Sequence, residues 1–357
     1  MSRGPAELVR DDVRAINAYH VPPAQGMVKL DAMENPYRLP GALAEEMGKR
    51  LAAVAINRYP DPTGAALKQR LREAMSIPDS LEIVLGNGSD EILQLVTVAL
   101  AKPGATVLSL EPSFAVYKLA ATAAGMRYVG VPLNEDFTLD EARLLAAIER
   151  EKPALTWIAY PNNPTGNLFS REAILRIVAA APGLVAIDEA YYAFSGGASM
   201  LGDVGRHPNL LLVRTVSKLG LAGLRVGLGI AGPEWTRELE KLRMPYNVNV
   251  LSAAAADFLL QHREVFEAQT RDIVAGRGHL EKALDSMLGV RRFPSAANFV
   301  LARFPDAPRA FERLRERGIL VRTFHGTHPL LAHCLRLTVG TPDENTQMLD
   351  VLIQAVG

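Results

Sequence analysis

Between residues 81 and 232 the chain alternates short apolar runs with longer amphipathic ones. LEIVLG (81–86), TVLSLE (106–111), MRYVGVPL (126–133), LTWIAY (155–160), LVAID (184–188), NLLLVRT (209–215) and RVGLGIAG (225–232) have the length and punctuation of buried strands. SDEILQLVTVALA (89–101), FAVYKLAATAAG (114–125), LDEARLLAAIER (139–150) and REAILRIVAAA (171–181) carry helical spacing. Ser89 is expected to open the first of these helices, with acids in its first turn. Strands interleaved with helices predict an α/β fold, a mostly parallel seven-stranded sheet between helices. Ligands of such sheets sit beyond the carboxyl ends of the strands, where the polar motifs below fall.

After Pro245 the texture changes. Residues 252–287 predict one long helix. FVLARF (299–304), ILVRTF (319–324) and CLRLTVG (334–340) then predict strands around a helix at APRAFERLRERG (307–318), a smaller α+β unit. The expected division is an N-terminal arm and part of the small domain over 1–45, a large ligand-binding domain over 46–250, and an interdomain helix with the small domain over 251–357. A length of 357 residues agrees with more than one core.

Composition narrows the class. A net charge of +0 argues against a basic nucleic-acid surface or a polybasic membrane patch. No apolar run is long enough to span a bilayer, and MSRGPAELVRDDVRAINAY carries acids where a secretory leader would be apolar. The one cysteine, Cys334, cannot form an intrachain disulfide. A cytoplasmic protein is the expectation.

Four motifs carry chemistry. In TVSKLGLAGLRVG (215–227), Lys218 alone would read as a surface lysine. Ser217 and Arg225 beside it supply the hydroxyl and guanidinium that a phosphate monoester needs, and the glycines allow close backbone approach. A lysine beside a phosphate site suits a Schiff base with a phosphorylated aldehyde. In AIDEAYYAF (186–194), Asp188 is either a helix cap or the partner of a protonated pyridine nitrogen, and Tyr191 falls within reach of that ring's phenolic oxygen. In YPNNPTGN (160–167), a Pro/Gly turn, Asn163 can donate to the same oxygen. In GNGSDEIL (86–93), a strand-to-helix turn, the main chain at Ser89 and Asp90 offers donors at a helix N-terminus. Phe114, by base rate a core residue, can stack on a pyridine face.

With these motifs in this order, from LDAMENP near residue 31 to LRLTVGTP near 341, the chain resembles the fold-type I aminotransferases. Within them it resembles the histidinol-phosphate aminotransferase family. The resemblance implies a pyridoxal 5'-phosphate (PLP) cofactor on Lys218, which then shuttles protons. It implies Asp188 on the ring nitrogen, Asn163 and Tyr191 on the phenolic oxygen, and Gly88, Ser89, Asp90, Ser217 and Arg225 around the phosphate. Tyr59 (NRYPDPTG) resembles a tyrosine that reaches the partner subunit's cofactor phosphate, which implies a homodimer. Arg336 resembles the substrate-anion arginine, Arg322 a second phosphate-binding arginine, and Tyr19 a tyrosine that closes over the substrate. Where relatives read Asn-Glu-Asn-Pro, this chain reads Met33-Glu34-Asn35-Pro36.

The implied reaction moves an amino group between L-glutamate/2-oxoglutarate and histidinol phosphate/imidazole-acetol phosphate, in histidine biosynthesis. Two arginines serve both partners, because guanidinium forks fit carboxylate and phosphate alike. Glu34 or Tyr19 is the expected acidic or polar neighbour of the imidazole. Threonine-phosphate decarboxylation, transamination of aromatic or other amino acids, and a non-enzymatic cofactor-binding module are the alternatives. FHGTHPLLAHC, with His325, His328, His333 and Cys334, reads as a loop between the arginine strands; no metal is expected.

Overall fold

Residues 4–18 and 22–356 are described by the structure, a computed structural model. The chain's first strand, β1 (Val28–Lys29), is two residues long. The seven apolar runs that follow become β2 (Glu82–Asn87), β3 (Thr106–Glu111), β4 (Arg127–Pro132), β5 (Leu155–Ala159), β6 (Leu184–Asp188), β7 (Leu210–Thr215) and β8 (Val226–Ala231). They form one sheet in the order β2-β8-β7-β6-β5-β3-β4. Only β8 runs against its neighbours, β2 and β7; the other pairs are parallel.

Successive residues of a strand feed opposite faces, and both faces are covered. Val84, Val107, Trp157 and Leu211 pack with Ile92, Leu93 and Tyr117 on one side. Ile83, Leu108, Ile158 and Leu212 pack with Leu71, Leu144 and Ile174 on the other. That is why these strands read as continuous apolar runs instead of alternating ones.

The C-terminal strands are β9 (Arg291–Arg292), β10 (Phe299–Arg303), β11 (Ile319–Leu320), β12 (Arg322–Thr323) and β13 (Cys334–Thr338). An antiparallel sheet β12-β13-β10-β9 encloses a separate core with Phe299, Leu335, Leu337, Ile273, Leu280 and Leu314. β11 pairs in parallel with β1, so residues 28–30 are stitched to this C-terminal layer.

Three local expectations change. The single helix over 252–287 is two, Val250–Leu260 and Arg263–Asp285. Gln261 and His262 donate to the carbonyls three residues back, which tightens and ends the first helix. The single strand over 319–324 changes sheets at Val321. The N-cap of Ser89–Ala99 is Gly88 (φ +84°), and Ser89 is already helical. Helices Gly41–Ala52, Ala65–Ala74, Pro233–Glu240 and Pro342–Val356 had no sequence counterpart. Among the described residues, no helix is long and apolar enough to cross a membrane.

Candidate active site

Five strand ends converge on one place. The Gly88–Ser89 turn follows β2, Phe114 follows β3, Asn163 follows β5, Asp188 ends β6, and Ser217 and Lys218 follow β7. A cavity of about 120 Å³ there is lined by Ser89, Asp90, Phe114, Asn163, Asp188, Tyr191, Ser217, Lys218 and Arg225, with Met33, Tyr117 and Thr215 among its other walls. It adjoins a larger cavity of about 660 Å³ that shares Met33, Asp90 and Phe114 and carries Arg322 and Arg336.

Two titratable side chains of the smaller cavity are shifted in opposite directions. Lys218 Nζ donates to the Ala32 carbonyl at 3.0 Å and lies 5.8 Å from the Tyr191 ring centroid. Burial lowers its pKa to about 8, with the nearby Arg336 charge pushing the same way. Asp188 is 5% exposed and accepts from the Tyr117 hydroxyl at 2.9 Å and the Ala190 N–H at 3.0 Å. Burial raises its pKa to about 6, against the two hydrogen bonds. Two titratable groups shifted in opposite directions on one cavity mark a reactive site.

Between them, Asn163 Nδ2 donates to the Tyr191 hydroxyl at 3.2 Å. The Asn163 carbonyl oxygen accepts from Arg336 Nη1 at 2.6 Å, and Arg336 Nη2 donates to the Asp31 carbonyl at 2.7 Å. Arg336 stands opposite Arg322 in the β12–β13 register, so the two guanidinium-bearing residues are cross-strand neighbours.

The residues around Gly88 and Arg225 form a cradle for an anion. Gly88 lies against the Arg225 guanidinium, and a methyl group on Gly88 would occupy that contact. A methyl on Gly227 would collide with the Gly88–Ser89 peptide, so β8 and the turn approach as only glycine permits. Ser217 donates its N–H to Thr215 Oγ1 at 3.1 Å, which fixes the turn before Lys218. Arg225 Nη2 reaches Asp90 Oδ2 at 3.2 Å. Turn N–H groups, the start of an eleven-residue helix, a hydroxyl and a guanidinium suit a phosphate. A lysine of lowered pKa and a buried carboxylate on one cavity suit the aldehyde and ring nitrogen of PLP. The residues present fit that group.

Some expected residues stand elsewhere. Tyr59 is 82% exposed and stacks on Tyr246, with centroids 4.6 Å apart. Tyr19 lies outside the described residues. Glu34 pairs with Lys29 at 2.6 Å and lines a different cleft. His325 Nδ1 accepts from the His333 N–H at 3.2 Å and His328 Nδ1 from the Leu330 N–H at 3.1 Å, so both imidazoles close their own loop. Among the described residues, no group of three or more His, Cys, Asp or Glu side chains is placed to hold a metal.

The sequence reading missed Tyr117. It lies one helical step from Phe114, its ring meets Phe114 edge-on and stacks on Trp157 5.3 Å away, and its hydroxyl is the only side-chain donor described at Asp188. The signal was a tyrosine in an otherwise apolar helix face. Because this hydrogen bond favours the ionised carboxylate, Tyr117→Phe is expected to raise the Asp188 pKa further. An acid limb set by Asp188 should then move up by about one pH unit. A pH titration of bound-cofactor absorbance checks this; an unmoved limb removes Tyr117 from the control of Asp188.

The family model "Aminotransferase class I and II" matches residues 25–352, and the chain belongs to that family. Its fold is that of a fold-type I aminotransferase. Within the family, it is 54% identical over 346 residues to the histidinol-phosphate aminotransferase of Chromobacterium violaceum, covering 97% of each chain. The crystal structure of histidinol-phosphate aminotransferase from Sinorhizobium meliloti in complex with pyridoxal-5'-phosphate is similar at a TM-score of 0.87 and 25% identity, covering 98% of this chain and 97% of that one. The L-threonine-O-3-phosphate decarboxylase of Porphyromonas gingivalis is similar at a TM-score of 0.76 and 25% identity, covering 92% and 99%.

Proposed function

We propose that this chain exchanges an amino group between L-glutamate/2-oxoglutarate and histidinol phosphate/imidazole-acetol phosphate, with PLP on Lys218, as a cytoplasmic homodimer. The observation that carries this reading is the placement of Lys218 and Asp188 on one cavity, adjoining a second that carries Arg322 and Arg336. The fold is similar to those of an aminotransferase and a decarboxylase alike, so the choice of reaction rests on the 54% identity to an aminotransferase over nearly the whole chain.

When bound, PLP supplies an aldehyde that condenses with amines and a ring that accepts the electron pair released at the substrate's α-carbon. Lys218 Nζ, about a tenth neutral at pH 7 for a pKa near 8, is the nucleophile and then the base that takes the α-proton. With PLP bound, Asp188 would hold a proton on the ring nitrogen, and Asn163 and Tyr191 would donate to the phenolic oxygen. Ser89, Asp90, Ser217 and Arg225, with the Gly88 turn, hold the phosphate. Phe114 flanks the ring.

Arg336, buried between Phe299 and Phe324 at 5.3 Å from each centroid, and Arg322 hold the substrate's anion. Arg336→Ala is expected to raise KM for both glutamate and histidinol phosphate by about ten- to a hundredfold while sparing cofactor affinity. Steady-state kinetics and cofactor titration check it; a rise confined to one substrate would remove the shared role.

The dimer rests on an exposed apolar surface. Tyr59 and Tyr246 stack in the open, and Ile56, Leu242, Met244 and Leu251, close by in sequence, are also exposed. Tyr59 of one subunit would reach the phosphate site of the other.

A half-reaction titration tests the function. Histidinol phosphate should bleach the absorbance of the lysine-bound cofactor, and 2-oxoglutarate should restore it. Carbon dioxide release from threonine phosphate without amino exchange, or a response to phenylalanine alone, would overturn the reading.

A further inference from the structure

The wall of the larger cavity holds a carboxylate that none of the motifs assigned. Asp31 is 7% exposed, lines that cavity with Arg322 and Arg336, and its Oδ1 is buried without a hydrogen-bond partner. Buried polar atoms are nearly always satisfied, so a lone acceptor on a cavity wall asks for a donor from what fills the cavity.

Its position is fixed from both sides. The Leu30 N–H donates to the Leu320 carbonyl at 2.8 Å, the Asp31 carbonyl accepts from Arg336 Nη2 at 2.7 Å, and the Ala32 carbonyl accepts from Lys218 Nζ at 3.0 Å. The backbone that carries Asp31 is thus tied to two residues of the reaction site itself.

We infer that Asp31 is the specificity-determining residue for the imidazole of the phosphorylated amine, accepting a hydrogen bond from a ring N–H. The inference rests on the proposed function. In that reading the substrate amine goes to the cofactor cavity and the phosphate to Arg322 and Arg336. The ring N–H is the donor left over, and Asp31 is an acceptor left over. Glutamate brings no such donor. The same residue therefore favours one substrate over the other. Glu34, the acid expected from sequence, is already paired with Lys29.

The test measures the first half-reaction of the holoenzyme with histidinol phosphate, with its phenyl analogue 2-amino-3-phenylpropyl phosphate, and with glutamate. Wild-type kcat/KM should favour the imidazole over the phenyl compound by at least about tenfold. Asp31→Asn, which keeps the shape and removes the charge, should lower kcat/KM for histidinol phosphate by about ten- to a hundredfold. It should change that for the phenyl analogue by less than about threefold, so that the imidazole-to-glutamate ratio collapses. Equal losses on all three substrates mean a structural role and overturn the inference. Equal wild-type rates on imidazole and phenyl compounds overturn it without any variant. No exchange with histidinol phosphate overturns the functional reading, and this inference with it; exchange without ring discrimination overturns the inference alone.

Discussion

Lys218→Ala is expected to lower turnover by about 10⁴-fold or more and to abolish the near-visible band of the lysine-bound cofactor. The amine is enclosed by the cavity, and its pKa near 8 leaves it far more often neutral at pH 7 than an ordinary lysine at 10.5. Among the described residues no other lysine lines either cavity, so none of them offers a substitute amine. The phosphate cradle at Gly88, Ser89, Ser217 and Arg225 and the carboxylate at Asp188 are untouched. The variant should therefore still bind cofactor, reversibly, in equilibrium dialysis. A variant that keeps the band would place the covalent link elsewhere. One that binds no cofactor at all would mean the cradle contributes little affinity.

Asp188→Asn is the second large effect, and it has two opposite signs. Turnover should fall by about 10³-fold, because the ring nitrogen loses the charge that holds its proton. The cofactor-free protein should become more stable at pH 8. The folded-state pKa of Asp188, about 6, stands above the unfolded value near 3.8, so the folded chain holds the proton more tightly. A carboxyl raised in this way loses stability as pH climbs from about 4 to about 6, and the loss persists above that range. The rise corresponds to about 3 kcal/mol, which asparagine removes, less the hydrogen bond that Tyr117 then makes to a neutral acceptor. Thermal unfolding without cofactor should show a raised Tm for the variant at pH 8 and a small difference near pH 4. A variant less stable at pH 8 would show that burial of this charge is already compensated. A residue that costs the empty protein stability yet speeds the reaction is the trade expected of a reactive group.

Much of this was legible in the chain. The seven strands of the large sheet were visible because most are buried on both faces and read as short, mainly apolar runs between Gly, Pro and polar residues; the edge strand β4 is half-exposed and was marked by its β-branched and aromatic residues. Their order was not, since nothing local to β8 says that it inserts between β2 and β7. Helix Gly41–Ala52 escaped notice because it buries no residue fully: its apolar stripe is short, with Leu43 and Met47 only half-buried against the core. The break at Gln261–His262 depends on a tightened last turn, which leaves no Gly or Pro mark. At the site, Lys218, Asp188, Asn163 and Tyr191 were legible because each sits in a polar interruption just after a strand. Tyr117 and Asp31 were not. The first hides its hydroxyl among core aromatics. The second lies in the irregular segment near the N-terminus, which has no helical or strand periodicity to place it. Both become visible only when distance replaces sequence separation: 71 residues separate Tyr117 from Asp188, and 305 separate Asp31 from Arg336.

The central claim is that one amine, at position 218, carries the cofactor. The most direct test is borohydride reduction of the protein loaded with PLP, followed by proteolysis and mass mapping. The account predicts one modified peptide per chain, with the reduced cofactor on Lys218 and protection from modification when Lys218 is alanine. Attachment at any other lysine, or no attachment under saturating cofactor, would contradict it.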